Sequence, residues 1–461
     1  MSYDAVVVGA GPNGLAAALT VARASGSVVV YERAGRVGGG TRSEELTLPG
    51  FVHDPCSAVH PMAIASPFFR AAGLDIEWVQ PDVPLAHPLG GDDAAVLERC
   101  IGDTAANLGR DGAPYRRLLR PFVREWERLI EGVLAPALPP QNLRTLIPFG
   151  LKGARSGRGL ARRFGEPRAR ALIAGMAAHS MLPLERLPGG ALALVMATLG
   201  HAVGWPFPRG GAQAVADALA GAVAAAGGEI ETNVEIKSLD DLPPARRVFL
   251  DTSAKAALEI AGDRVPKWRA RRLRRVRYGP GVCKVDWALW GPVPWTAENV
   301  RRAGTVHVGG TFEEVAHAER EVAAGRHPDA PFVLVAQPSS FDDTRAPAGK
   351  HTLWGYCHVP SGSDRDVSDR IEAQIERFAP GFRDLILAKN VMTAVDVEAH
   401  NPNYVGGDIN CGVQDLRGHF LRPGLLDPYK IGDDLYLCSS ATPPGGGVHG
   451  MCGHLAVRRA L

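Results

Sequence analysis

The sequence predicts an α/β fold that opens with a Rossmann-type parallel sheet, and three observations carry that prediction. Ala5 to Val8 is a continuous apolar run, mostly β-branched, suited to a strand buried on both faces. It leads straight into Gly9-Ala-Gly11-Pro12-Asn13-Gly14 and then into the alanine-rich helix Leu15 to Arg23. A second β-rich run, Ser27 to Tyr31, ends on Glu32, eighteen residues after Gly14.

Each part of that unit has a physical task. Gly9 permits the tight turn, Gly11 lets a diphosphate approach the backbone, and Gly14 lets helix and strand pack closely. The helix N-terminus faces the phosphates with free N–H groups, and Pro12 and Asn13 lie in that turn. An acid at the end of the second strand accepts hydrogen bonds from ribose hydroxyls and disfavours a 2′-phosphate, so Glu32, with Arg33 beside it, is a candidate ribose contact.

The bulk properties exclude several classes. A chain of 461 residues has room for two to three domains, and its 46% hydrophobic and 22% charged residues are ordinary for a globular protein. A net charge of +2 gives no overall case for nucleic acid. Positive charge is local, in Arg264 to Arg277 and in Lys152 to Arg170; each is either a solvated face or a surface for an anionic membrane, a phosphate or an acidic partner. Seven cysteines without a C-x-x-C pair argue against a disulfide framework and a zinc ribbon and fit a cytoplasmic setting. The N-terminus reads as a strand rather than a signal peptide, and no apolar run reaches the ~18 residues that span a bilayer. No metal site is expected.

Glu44 to Pro61 is irregular, Arg116 to Leu134 reads as a helix, and Ala169 to His201 as helices broken at Pro183 and Pro188. A helix starting at Pro208-Arg-Gly210-Gly211 runs to Ala226, followed by strands from Glu229 to Leu239 and at Val248 to Leu250. Near the end, the strand Asp434 to Cys438 meets a long turn, Ser439-Ser440 through Gly445-Gly446-Gly447-Val448-His449-Gly450-Met451, before the last helix. A second strand, Gly-rich turn and helix can aim several N–H groups at one ligand.

FAD and NAD share the first signature, and the segment after Glu32 separates them. With Arg36-Val-Gly38-Gly39-Gly40-Thr41-Arg42 the chain resembles the flavoprotein superfamily of amine oxidases and phytoene desaturases. In that superfamily a glycine pair after the acid lets the chain lie against FAD; many members continue with Arg where this chain has Gly40. The resemblance extends through Tyr278-Gly-Pro-Gly281, His307-Val-Gly309-Gly310, Asp343-Thr-Arg345 and Asn401-Pro-Asn403 to Gly406-Gly407-Asp408. It runs nearest to the branch called pyridine nucleotide-disulfide oxidoreductase domain-containing protein 2, and it covers nearly the whole chain.

The resemblance implies non-covalent FAD held by Gly9, Gly11, Pro12, Asn13, Gly14, Glu32, Arg33, Gly38, Gly39, Gly40 and Thr41, by Ile236 near the adenine, and by Ser440, Gly447, Val448, His449 and Met451 in the closing turn. It also implies a discontinuous FAD domain, 1–80, 206–265 and 420–461, and a helix-and-sheet substrate domain, 81–205 and 266–419. The implied chemistry is dehydrogenation, desaturation or isomerisation of a largely apolar small molecule by hydride transfer to the flavin, with oxygen or a quinone as acceptor. An amine oxidase, or a flavin-binding regulatory protein with little turnover, is the alternative. His449, inside the closing turn, is the candidate catalytic group, as donor to the flavin or proton relay; holding the turn is its other reading. His60 and Met62 are candidates for the substrate side, or part of a packed loop, and Trp205, Trp354 and Tyr356 line a pocket or belong to the core.

Overall fold

The computed structural model describes residues 2–136, 140–421, 423–424 and 427–461. Strand Ala5–Val8 lies at the centre of a five-stranded, all-parallel sheet, between Val28–Tyr31 and Val248–Leu250. Glu229–Glu231 and Leu435–Leu437 form its two edges. The register sets Val7 opposite both Val30 and Phe249. Because side chains alternate across a strand, Ala5, Val7, Val28 and Val30 pack against helices Pro12–Arg23 and Gln213–Ala225, whereas Val8, Leu250, Leu435 and Leu437 pack on the side of Ala254–Ala261.

A second, seven-stranded sheet runs in the order Ile386–Met392, Gly281–Leu289, His351–Val359, Val333–Ala336, Ala303–Val308, Val83–Gly90, Asp93–Leu97. Its neighbours are antiparallel except Ala303–Val308 beside Val83–Gly90. Helices Gly112–Arg124, Pro167–Ala178 and Gly189–Ala202 cover one face of it, and Ser368–Phe378 packs on the other.

All strands of the parallel sheet fall in 1–80, 206–265 and 420–461, and all seven of the other sheet fall in 81–205 and 266–419. Packing crosses those bounds. Ala270 and Leu273 of helix Lys267–Leu273 share a core with Leu435 and Leu437, so that helix sits with the parallel sheet.

Three local expectations differ from the structure. The helix expected over Arg116 to Leu134 is two, Gly112–Arg124 and Trp126–Val133, because Glu125 leaves the helical region at φ −111°. The helix expected to start at Pro208 starts at Gln213. The strand expected from Glu229 to Leu239 stops at Glu231, where its partner ends at Tyr31. Asn233 then takes a left-handed conformation at φ 61°, and its N–H donates to Ala34 O at 3.0 Å. That turn carries Val234–Lys237 along the end of the sheet.

Candidate functional site

The carboxyl ends of the first two parallel strands open into a groove of about 430 Å³, bounded by Gly9–Asn13, Glu32–Ala34, Gly39–Gly40, Val234–Lys237, His400–Tyr404 and Ser439–Ser440. Such a crevice at the ends of parallel strands is where open α/β sheets bind nucleotides. A second cavity of about 300 Å³ lies between the two sheets, and the two share Pro12, Asn13, Gly40, Tyr404 and Ser440.

Glycine is required in the groove for stated reasons. A Cβ on Gly11 would come within 2.7 Å of Asp251 Oδ2, and one on Gly39 within 3.1 Å of the Gly11 Cα. A Cβ on Gly14 would run into the Gly9 carbonyl, so that position holds helix against strand. Glu32 lines the groove with its carboxylate braced, Oε2 accepting from the Ala10 N–H at 2.8 Å and Oε1 from the Ala34 N–H at 2.9 Å. Arg33 reaches across to Ala399 O at 3.4 Å, and Arg42 clamps the glycine turn to His400 through Gly39 O at 3.1 Å and the His400 ring at 3.1 Å.

Asp251, at the end of strand Val248–Leu250, was not anticipated from the sequence. Its buried carboxyl accepts the Gly14 N–H at 2.8 Å, at the N-terminus of the first helix. Burial pushes its pKa up to about 7, with the Glu32 charge adding to the rise and the Gly14 amide opposing it. Asn403 ties this strand end to the loop on the far side of the groove, donating to Asp251 O at 3.1 Å and accepting from the Ser253 N–H at 2.7 Å.

The inner chamber is lined by Leu192, Met196, Val282, Leu334, Val397 and Ile409, with Trp205, Trp354 and Tyr356. His60 and Met62 also line it, so all five residues expected on the substrate side face one space. The Trp354 indole is pinned by donation to Cys56 O at 2.9 Å, and Tyr356 stands edge-on to it at 5.2 Å. His60 is 1% exposed with neither ring nitrogen hydrogen-bonded, and burial pushes its pKa down to about 4.

Other polar groups in the chamber come from segments that carry no motif. Lys284, on the fully buried strand Gly281–Leu289, is ion-paired with Asp286; burial lowers the lysine and raises the acid. Alternation puts residues two apart on one face, so a Lys-x-Asp inside an otherwise apolar strand is a signal that sequence could have yielded. His179 meets buried His307 at 2.9 Å between Nε2 atoms, and burial drives His179 down to about 3. Thr305 and Asn410 complete the polar set with the shared Asn13, whose Oδ1 has no hydrogen-bond partner.

Ten of the residues expected to hold the cofactor, Gly9, Gly11, Pro12, Asn13, Glu32, Arg33, Gly39, Gly40, Ile236 and Ser440, line the groove, and Gly447 and Val448 line the chamber. Five lie behind these surfaces. Gly14 and Gly38 are packed against backbone or side chains, and the Thr41 hydroxyl turns back to Gly38 O at 2.8 Å. Met451 starts the last helix with its N–H donating to His449 Nδ1 at 3.1 Å. His449 is fully buried, and its Nε2–H donates to Gly445 O at 3.1 Å. Both ring nitrogens are thus used inside the turn, and His449 holds the turn instead of facing the chamber.

Among the described residues no group of three or more His, Cys, Asp or Glu is placed to hold a metal ion, and no helix is long and apolar enough to cross a membrane.

Residues 7–69 match the NAD(P)-binding Rossmann-like domain family. Over 98% of its length the chain is 26% identical to mouse pyridine nucleotide-disulfide oxidoreductase domain-containing protein 2, covering 92% of that protein. It is also 26% identical to the neurosporene-forming phytoene desaturase of Rhodobacter capsulatus, with 97% of this chain and 92% of that one covered. Putrescine oxidase bound to putrescine shares the fold, with a TM-score of 0.62 at 17% identity over 100% of this chain and 98% of the other. The chain is therefore a homologue of the phytoene desaturases and of pyridine nucleotide-disulfide oxidoreductase domain-containing protein 2, and its first strands match a Rossmann-like dinucleotide-binding domain.

Proposed function

We propose that this protein is an FAD-dependent oxidoreductase that dehydrogenates, desaturates or isomerises a largely apolar organic substrate. One observation carries the reading: a glycine-walled nucleotide groove and a mostly apolar chamber adjoin, sharing Pro12, Asn13, Gly40, Tyr404 and Ser440 in their walls. Glu32 and Ile236 would hold the adenosine of a dinucleotide there, and the backbone of Gly11–Asn13 would hold its diphosphate. The residues fit the group. At Gly11 and Gly39 the groove wall is bare backbone, and the unpaired Asn13 Oδ1 is an acceptor available where the two cavities meet.

When bound, the flavin supplies the acceptor for a hydride equivalent, and oxygen or a quinone re-oxidises it. The chain's own work is to bind, orient and keep water out. Trp205, Trp354 and Tyr356 give flat apolar walls to a substrate, and the aliphatic residues opposite exclude solvent. His60 and His179 are neutral at physiological pH, so each can accept or donate at a ring nitrogen without bringing a charge into the chamber. Lys284, paired with Asp286, is the chamber's cationic group.

The described chamber lining contains no carboxylate, and its cation is a lysine. A protonated amine would find no counter-charge there, which favours an uncharged substrate over the amines that putrescine oxidase takes as the related alternative. The test is anaerobic: the yellow holoprotein is mixed with a panel of polyenes, other apolar alkenes and amines while the flavin band is followed. Bleaching by an apolar substrate supports the reading. Bleaching by amines alone favours amine oxidation, an isomer formed without bleaching favours the isomerase form of the reading, and neither bleaching nor product with any member favours a protein whose flavin is structural.

A further inference from the structure

Helix Leu143–Gly153 carries two apolar faces, and only one of them is covered. Leu146 and Phe149 pack inward, Phe149 edge-on to Phe122 at 5.8 Å, and Gly153 meets Ala191 of the helix beneath. Leu143, Ile147 and Leu151 are 50%, 57% and 74% exposed. Spaced by four, they drift only ~40° per step and form one stripe along the outer face. Leu187, 43% exposed, belongs to the adjoining loop, which is tied to the end of this helix by the Gly190 N–H donating to Arg155 O at 2.9 Å. Leu143, Ile147 and Leu151 are three of the ten large apolar side chains exposed among the described residues, and all three lie on this one helix.

The segment itself carries one sign of charge. From Gln141 to Gly165 there is no carboxylate, and there are six cations: Arg144, Lys152, Arg155, Arg158, Arg162 and Arg163. Arg158 pairs with Glu185 at 3.1 Å, and Lys152 lies over the Phe122 ring at 4.9 Å. Arg144, Arg155, Arg162 and Arg163 make no ion pair among the described residues. The helix beneath, Gly189–Ala202, supplies Leu192 and Met196 to the inner chamber.

We propose that helix Leu143–Gly153, with the basic segment that follows it, seats the protein on an anionic lipid surface. An exposed aliphatic stripe followed in the chain by arginines without an ion pair among the described residues has the chemistry of an interfacial helix, with apolar side chains entering the acyl boundary and cations meeting lipid phosphates. A second copy of the chain is a poorer occupant, since a two-fold contact through this patch sets its arginines against themselves. The seat lies one helix layer above the chamber, since Gly153 packs on Ala191 of the helix whose Leu192 and Met196 line it. The proposal goes beyond the reading of the active site, and lipid binding is measured without any flavin chemistry.

The experiment is co-sedimentation of the full-length holoprotein with phosphatidylcholine vesicles, with and without phosphatidylglycerol, at low and high salt. The expected result is binding to the phosphatidylglycerol vesicles, weakened by salt. I147E/L151E, whose circular dichroism and flavin content are checked first, is expected to weaken that binding at least ~10-fold, and R155Q/R162Q/R163Q by a similar factor on anionic vesicles only. A wild-type protein left in the supernatant with both vesicle types overturns the proposal, as does undiminished binding by both variants. A dimer in sedimentation velocity that I147E/L151E dissociates, without vesicle binding, assigns the stripe to self-association and overturns it equally.

Discussion

The hydroxyl of Tyr404 occupies the space where a side chain on Gly40 would begin. The two residues lie at the junction of groove and chamber, and burial holds the phenol well above its ordinary value, so it is a neutral group there. Gly40 has no positive φ, so its backbone admits alanine and only the contact forbids it. Gly40→Ala is expected to lower the flavin-to-protein ratio strongly, and adding Tyr404→Ala is expected to restore part of it. A double variant no better than Gly40→Ala, by absorbance of the purified proteins, breaks the link between the two residues.

Asp251 predicts a pH dependence of the cofactor-free protein. Its folded pKa of about 7 lies above the ~3.9 of a free aspartate, so the folded chain holds a proton that the unfolded chain releases. The stability tied to this group is complete below pH ~3.9 and is lost as pH rises through about 7. Asp251→Asn keeps an acceptor oxygen for the Gly14 N–H and cannot ionise. Its melting temperature is expected to fall less than that of the wild type between pH ~5 and ~8; parallel curves would remove Asp251 from that role. Buried histidines such as His60 and His179, whose pKa values are lowered, act in the opposite sense and are common to both proteins.

Gly11 and Gly14 both set the glycine turn. Gly11→Val is expected to give colourless protein, because its Cβ presses on the Asp251 Oδ2 that braces the Gly14 N–H and so displaces the turn that faces the diphosphate. Gly14→Ala is expected to lower the melting temperature itself, since its Cβ meets the Gly9 carbonyl. Glu32→Ala removes the acceptor for the Ala10 and Ala34 N–H groups and is expected to weaken FAD retention by about 1.5–3 kcal/mol. Equal flavin content in all three variants contradicts the placement.

His449→Ala is expected to cost about 1–3 kcal/mol of stability, through the unpaired Gly445 carbonyl and Met451 amide, with little change in the flavin spectrum. A large spectral shift with unchanged denaturant midpoint would return His449 to the flavin.

NADH and NADPH are expected not to bleach the flavin directly. The second strand, glycine pair and helix, Ala303–Val308 through Gly309-Gly310 to Phe312–Ala323, has its helix N-terminus closed by Glu314, which accepts from both the N–H and the hydroxyl of Thr311 at 2.8 Å. A carboxylate already there leaves no place for a phosphate. In the basic run, Trp268 is covered by Arg269 and Arg272 at 4.6 and 4.9 Å, so those cations are engaged locally. Full bleaching by either nucleotide under anaerobic conditions would overturn this.

The nucleotide half was legible in the sequence because its signals are local. A β-branched run, a glycine spacing that only one backbone path satisfies, and an acid at a set distance all act within about thirty consecutive residues, and they determined the strand, turn, helix and second strand. What the tertiary structure decided joins distant segments. Asp251 reaches Gly14 across 237 positions, and Lys284, His179 and Tyr404 enter the chamber from three elements with no motif of their own. Local pattern also cannot tell which way a polar side chain turns within a glycine-rich loop. Thr41 and His449 sit in the expected turns, yet both spend their hydrogen bonds on the turn itself, because a buried polar group is held by the nearest backbone partner whatever ligand the loop serves.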